Sequence, residues 1–377
     1  MDWQNSRSDS LEVRRRMLAE IRRTRGVSRA ALAAATGMTR PTVSSIIGEF
    51  LAAGLVRELG KGVSTGGKRP IMLALADERP CVIGIAVGDN YAIRAVSCDL
   101  AGRIRAQAIL PYCNNFDSIR DVSIELVRRL TARGGAFRGV GIAVSGLVDP
   151  DSGEVRDSRT LDIGGRGLGK AVAAAVDLPV FLETRASASA LAESLYGAGR
   201  QYRDLLYFSS GRGIGAGIVF GGKLFRGSHG AAGELGDVPI ALDGGMPSLE
   251  SRLRPEALTR RASALIGREL DYPAFLALLA QGDRQLHGFV RQAAEDLARA
   301  VRPAVALLDP EAVVLGGQLL DLGAPFFDRF RELVAAPEDE ARFGRKLAVC
   351  TSELGENGDA LGGATVILER IFRLQLV

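Results

Sequence analysis

The chain has 377 residues, 47% hydrophobic and 24% charged, a balance typical of soluble globular proteins and enough chain for two or three domains. It contains no run of about 18 apolar residues, so no membrane span is expected, and Met1-Asp2-Trp3-Gln4-Asn5-Ser6-Arg7 lacks the apolar core of a secretion signal, which reads as a cytoplasmic protein. Cys81, Cys98, Cys113 and Cys350 share no short pair spacing, and His229 and His287 are the only histidines, so neither a disulfide framework, a zinc motif nor a histidine relay is expected.

The net charge of +4 is unevenly spread. Residues 1–75 carry 13 Lys and Arg against 6 Asp and Glu, a net of +7, while the remainder carries 35 against 38, a net of −3. A basic first fifth on a roughly neutral body is the footprint of a nucleic-acid-binding module. The plainer alternative is an Arg-rich helix surface in water.

In chain order, Val13, Met17, Leu18 and Ile21 recur at helical spacing, with Arg14, Arg15, Arg16, Arg22 and Arg23 off the stripe. Gly26 ends this helix. Ser28 is placed to cap a second, Arg29 to Ala35, and Thr36-Gly37-Met38 is a short turn. Thr39 caps a third helix with Pro41 in its first turn, where a missing N–H costs little. Val43, Ile46, Ile47, Phe50 and Leu51 form its apolar face, leaving Arg40, Thr42, Ser44 and Ser45 outside. Small hydroxyl residues let a helix enter the major groove, and an arginine near its start reaches a base edge or a phosphate. A strand over Gly54–Leu59, a basic loop over Gly60–Pro70 holding Lys61, Lys68 and Arg69, and a strand over Ile71–Leu75 complete a winged helix-turn-helix. Ser28, Arg29, Thr39, Arg40, Thr42, Ser44, Ser45, Lys61, Lys68 and Arg69 are the candidate contacts to a double-stranded DNA operator. A three-helix protein-interaction module is the alternative.

Beyond residue 79, apolar strands over Pro80–Val87, Ala92–Cys98 and Gly139–Val144 precede Ser145-Gly146. Leu178–Glu183 leads into a helix from Ala186 to Tyr196, Leu205–Ser209 and Ile214–Phe220 form a hairpin, and Val313–Gly317 is a further strand. Strands alternating with helices define an α/β fold. The glycine turn Gly211–Gly217 can bring backbone N–H groups close to a ligand, often a phosphate, although a glycine cluster alone is more simply a tight turn.

The order of these pieces resembles the ROK family, the Repressors, ORFs and sugar Kinases of the actin/hexokinase-like ATPase superfamily. The N-terminal likeness rests on Ser28–Ala33, Thr36-Gly37, Arg40–Ser44 and Gly66–Pro70. The C-terminal likeness rests on Gly141–Pro150, Gly213–Gly217, Gly227–Gly236 and Asp309–Gly317. The resemblance implies a winged helix over residues 1–78, then a two-lobed, ribonuclease H-like body over 79–377 that binds effector and dimerises, as a homodimer or a dimer of dimers. His229 follows a family glycine turn and reads as a loop residue; His287, in an Arg/Gln-rich helical stretch, reads as surface.

The departures from the family bear on activity. Its kinases open the body with Asp-x-Gly-Gly-Thr, where this chain has Ala86-Val87-Gly88-Asp89-Asn90. The family's catalytic Asp lies in Glu-Asn-Asp-Ala-Asn-Ala, where this chain has Glu183-Thr184-Arg185-Ala186-Ser187-Ala188. A guanidinium cannot take a proton from a sugar hydroxyl, so no sugar kinase activity and no catalytic residue is expected. The family's zinc positions fall on Asp237, Ala241, Asp243 and Ser248, which lack a thiolate, so no metal and no cofactor are expected. Ser145, Gly146, Thr160, Thr184, Arg185, Glu234, Asp237 and Glu250 are the expected effector contacts, for a sugar, a sugar phosphate or a sugar acid. Two readings of Arg185 stay open: it pairs with Glu234 or Glu250 in a relic pocket, or it recognises an acidic effector. The function expected is a transcription regulator of carbohydrate genes, in which effector binding changes the lobe angle and the spacing of two winged helices. A divergent kinase, or a regulator controlled by a protein partner, are the alternatives.

Overall fold

The computed structural model describes residues 13–374 apart from 15, 19, 23, 25, 63–68, 77–78, 89–90, 150–151, 242–244, 337–339, 342–343 and 345. The described residues of 13–22 are helical and bury Met17, Leu18 and Ile21, the stripe their spacing marks. Next come strand β1 (Val27–Ser28), helix Arg29–Thr36, helix Arg40–Ala52, β2 (Val56–Lys61) and β3 (Ile71–Leu75). The second helix stops at Gly37, whose φ of 70° is the left-handed conformation that glycine adopts without strain. Val43, Ile46, Ile47 and Phe50 are buried on the third helix, as its periodicity requires. The sheet has three strands, ordered β1-β3-β2, not the hairpin alone. The extra strand is two residues long, too short for an alternation to register in sequence.

Thr39 fixes the start of the third helix. Its hydroxyl accepts from the Thr42 N–H at 3.4 Å and lies 2.8 Å from the Thr42 hydroxyl. Thr39→Ala is expected to lower stability by about 1 kcal/mol, read as a fall in Tm; an unchanged Tm would show that the cap holds nothing.

The body starts with β4 (Val82–Val87), β5 (Ala92–Cys98) and β6 (Ile104–Pro111), an antiparallel meander. Helix Phe116–Thr131, β7 (Val140–Val144), the small pair β8 (Leu147–Val148) and β9 (Val155–Asp157), helix Leu168–Val176 and β10 (Val180–Thr184) follow. Helix Arg185–Tyr196 then leads to β11 (Leu205–Ser210), β12 (Ile214–Phe220) and β13 (Lys223–Phe225). Helices Leu249–Leu253, Pro255–Ile266, Tyr272–Ala280 and Arg284–Leu308 precede β14 (Ala312–Gly317), helix Ala324–Val334 and β15 (Ala348–Thr351). The last element is helix Gly358–Leu374.

The two five-stranded sheets are ordered β6-β5-β4-β7-β10 and β13-β12-β11-β14-β15. Each is an antiparallel meander of three strands extended by two parallel ones, so one arrangement occurs twice, the signature of the two-lobed body. All six residues of β4 are buried, which explains its unbroken apolar sequence. The C-terminal helix returns to the first lobe. A β-carbon at Gly84 would overlap the Ala360 carbonyl oxygen, and one at Gly141 that of Gly363, so glycine is required where the helix crosses β4 and β7.

His287 departs from expectation. It is half-buried, with its Nε2 3.2 Å from the Leu279 carbonyl oxygen, because Tyr272–Ala280 folds back against the start of the long helix. The core of the winged helix is continuous with the body: one cluster runs from Met17, Ile21 and Phe50 to Cys98, Leu100 and Ile371.

Candidate functional site

Arg40, Thr42, Ser44 and Ser45 are exposed on the helix opposite its apolar face, and Thr39 is exposed at its cap. Lys61 and Arg69 are exposed at the two ends of the wing; Lys68, with the wing tip, lies outside the described residues. Two further candidates act within the module. Ser28 caps helix Arg29–Thr36, accepting from the Ala31 N–H at 3.1 Å, and Arg29 pairs with Glu58 of β2 at 3.0 Å.

The second site is a cleft of about 270 Å³ between the lobes. All eight residues singled out in sequence line it: Ser145, Gly146, Thr160, Thr184, Arg185, Glu234, Asp237 and Glu250. Ser145 and Gly146 follow β7, and Gly146 has φ of 139°, which lets the chain turn into β8. Thr184 ends β10 and caps the helix that Arg185 begins, accepting from the Ser187 N–H at 3.2 Å. Glu234 precedes and Asp237 closes a single 3₁₀ turn, Leu235–Asp237, and Glu250 lies in the first turn of helix Leu249–Leu253. A Glu250 carboxylate oxygen accepts from the Ile214 N–H at 3.0 Å.

Arg185 does not pair with Glu234 or Glu250. Its Nε lies 3.8 Å from Asp359 of the C-terminal helix, and its side chain is 8% exposed. That partner arrives from 174 positions downstream in the chain, where neither periodicity nor motif could place it. The arginine at the mouth is Arg159, which sequence reasoning missed. It grips Asp237 with both ends of its guanidinium, one contact at 2.8 Å, so that the first lobe is tied to the second across the cleft. The only signal was its adjacency to Thr160.

The ion pair sets the local electrostatics. The bond from Arg159 holds the Asp237 carboxyl below its usual range. Burial, and then the neighbouring Asp237 charge, push the Glu234 carboxyl above its own. The charged form of Glu234 is thus penalised by folding. The penalty is absent below the carboxyl's unfolded pKa, grows as pH rises, and is complete above its folded value. Glu234→Gln is expected to raise Tm at pH 7.5 and to leave it unchanged near pH 4. A gain of equal size at both would contradict the assignment.

The remaining sequence candidates have other surroundings. Ala86 is buried in β4 where the resemblance places a carboxylate, and Asp89 and Asn90 lie outside the described residues. The positions matching the family's zinc ligands do not fit a metal: Asp237 is engaged by Arg159, and Ser248 caps a helix, accepting from the Ser251 N–H at 3.3 Å. Asp243 is outside the described residues, among which no group of three His, Cys, Asp or Glu could hold an ion. The glycine turn opens on a second cavity of about 600 Å³, where the Arg212 guanidinium stacks 5.0 Å from the Tyr91 ring.

A winged helix with an exposed polar face, joined to a two-lobed body with a polar interlobe cleft, defines a DNA-binding transcription regulator with a sugar-kinase-like fold. The chain belongs to the ROK family, which it matches over residues 82–370, and residues 13–62 match the MarR family. It is 27% identical over 365 residues to the xylose repressor of Bacillus subtilis (strain 168), covering 94% of each chain. The crystal structure of a ROK family transcriptional regulator, a homologue of the Escherichia coli Mlc protein, superposes with a TM-score of 0.80 at 20% identity, covering 98% of both chains. The ROK hexokinase of Thermus thermophilus superposes with a TM-score of 0.65 at 28% identity, covering 77% of this chain and 98% of its own.

Proposed function

We propose that the protein represses carbohydrate-related genes by binding a double-stranded operator as a cytoplasmic homodimer, and that a neutral sugar in the interlobe cleft releases it. The observation that carries this reading is the convergence of Ser145, Thr160, Thr184, Glu234 and Glu250 on one cleft beside a winged helix whose polar face is exposed. Hydroxyls and carboxylates are the partners that sugar hydroxyls need. The charge balance favours a neutral ligand over an acid. Arg159 is engaged by Asp237 and Arg185 by Asp359, whereas Glu234 and Glu250 add two further negative groups. The named xylose repressors among the relatives make D-xylose the first sugar to try.

The same residues argue against phosphoryl transfer. Arg185 stands where a general base is required, and Ala86 replaces a metal-binding carboxylate. A thermal-shift series with D-xylose, D-glucose, D-xylonate and D-xylose 5-phosphate tests the effector. A ligand at 100 times its Kd stabilises by about 2.7 kcal/mol, so a neutral sugar should raise Tm clearly and the two anions should not. A shift with the anions alone would reverse the choice of effector class, and sugar-dependent ATP hydrolysis by the pure protein would restore the kinase.

A further inference from the structure

Helix Arg185–Tyr196 begins at the cleft, which Arg185 and Ala186 line, and ends beside Arg22 of the DNA-binding module; helix Gly358–Leu374 packs alongside it and reaches Arg22 through Glu369. At the cleft end, Asp359 lies 3.8 Å from Arg185 Nε and accepts from the Ser189 hydroxyl at 2.6 Å. At the far end, Glu369 lies 3.7 Å from Arg22, with side chains 17% and 7% exposed, and the Arg22 guanidinium stands 5.8 Å from the Tyr196 ring. From Asp359 to Glu369 the helix covers about 15 Å.

Between those ends the packing leaves no slack. A β-carbon at Gly362 would lie 2.6 Å from the Ala188 carbonyl carbon, and one at Gly363 would lie 2.6 Å from the Gly141 carbonyl oxygen. Backbone packed against backbone too closely for a β-carbon transmits a displacement instead of absorbing it. The contact continues beyond Arg22. Arg14, on the same helical segment, holds Glu49 of helix Arg40–Ala52 at 2.7 Å. The Tyr196 hydroxyl is buried at the junction, and among the described residues it has no hydrogen-bond partner. Such a group costs free energy where it lies.

We propose, building on the sugar-sensing reading above, that effector occupancy reaches the recognition helix through this helix pair. Asp359 is the positioning residue at the cleft, Glu369 and Tyr196 act at the junction, and the segment carrying Arg22 and Arg14 passes the shift to Glu49. A sugar that draws Arg185 toward the cleft loosens its hold on Asp359 and favours a second packing of the C-terminal helix. It shifts the equilibrium by its differential affinity for the two packings.

Glu369→Gln in the full chain tests the proposal through two constants, the D-xylose Kd and the ratio of operator affinities without and with the sugar. The sugar Kd should stay within about threefold, while the ratio falls about tenfold, the size of a typical coupling. An unchanged ratio overturns the proposal. A second comparison needs no effector: Asp359→Asn should speed amide hydrogen exchange in residues 16–22 by about tenfold, and unchanged exchange there overturns the coupling. If the wild type binds no sugar, the sensing reading fails, and the exchange comparison still decides whether the two ends are linked.

Discussion

Gly141→Ala is expected to lower Tm by about 4 °C or more, whereas Gly288→Ala raises it slightly. At Gly141 an added β-carbon overlaps the Gly363 carbonyl oxygen, and it would lie 3.1 Å from Ile367 as well. The closest obstacle is the Gly363 backbone, so no rotamer change relieves it. The C-terminal helix must lift from β4 and β7, exposing part of the buried Ala360, Ala364 and Ile367. Such overpacking costs about 3 kcal/mol or more. Gly288 sits inside helix Arg284–Leu308 with nothing within 4 Å of its β-carbon position. There alanine removes only the entropy cost of a helical glycine, a gain of about 0.5–1 kcal/mol. Opposite signs from one chemical change would locate the close approach; equal effects would contradict it.

Arg40→Ala is expected to weaken operator binding by about 1–3 kcal/mol, or roughly 5- to 150-fold, without lowering Tm. Arg40 is the first residue of its helix, and no acidic residue shares the first turn. A cation there opposes the helix dipole, so its removal relieves a small local cost. A residue that breaks a local rule while exposed is best explained by function. If Arg40 reads a base, the loss will be concentrated on the cognate operator. If it contacts a phosphate, binding to all sequences falls and the salt slope drops by about one. A lower Tm with unaltered DNA binding would instead make Arg40 structural.

Much of this architecture was legible because its signals are local. The stripe Val43, Ile46, Ile47 and Phe50 marks the recognition helix, and the unbroken apolar run of β4 marks a strand covered on both faces. The eight cleft residues were legible through motif order, and they do share one cavity. What escaped was pairing over distance. Arg159 meets Asp237 and Arg185 meets Asp359 only after the lobes have closed and the C-terminal helix has returned to the first sheet. The two residues of β1 carry no period, and β6 alternates between exposed and half-buried positions at a sheet edge, so its apolar pattern is faint.

Titration of a duplex from the protein's own upstream region with the purified full chain, at several salt concentrations and with or without D-xylose, is the decisive measurement. Binding should exceed that of a scrambled duplex by about 10³-fold or more, weaken steeply with salt, and fall when the sugar is added. Equal affinity for both duplexes, binding indifferent to salt, or a complex that no neutral sugar dissociates would contradict a sugar-released repressor.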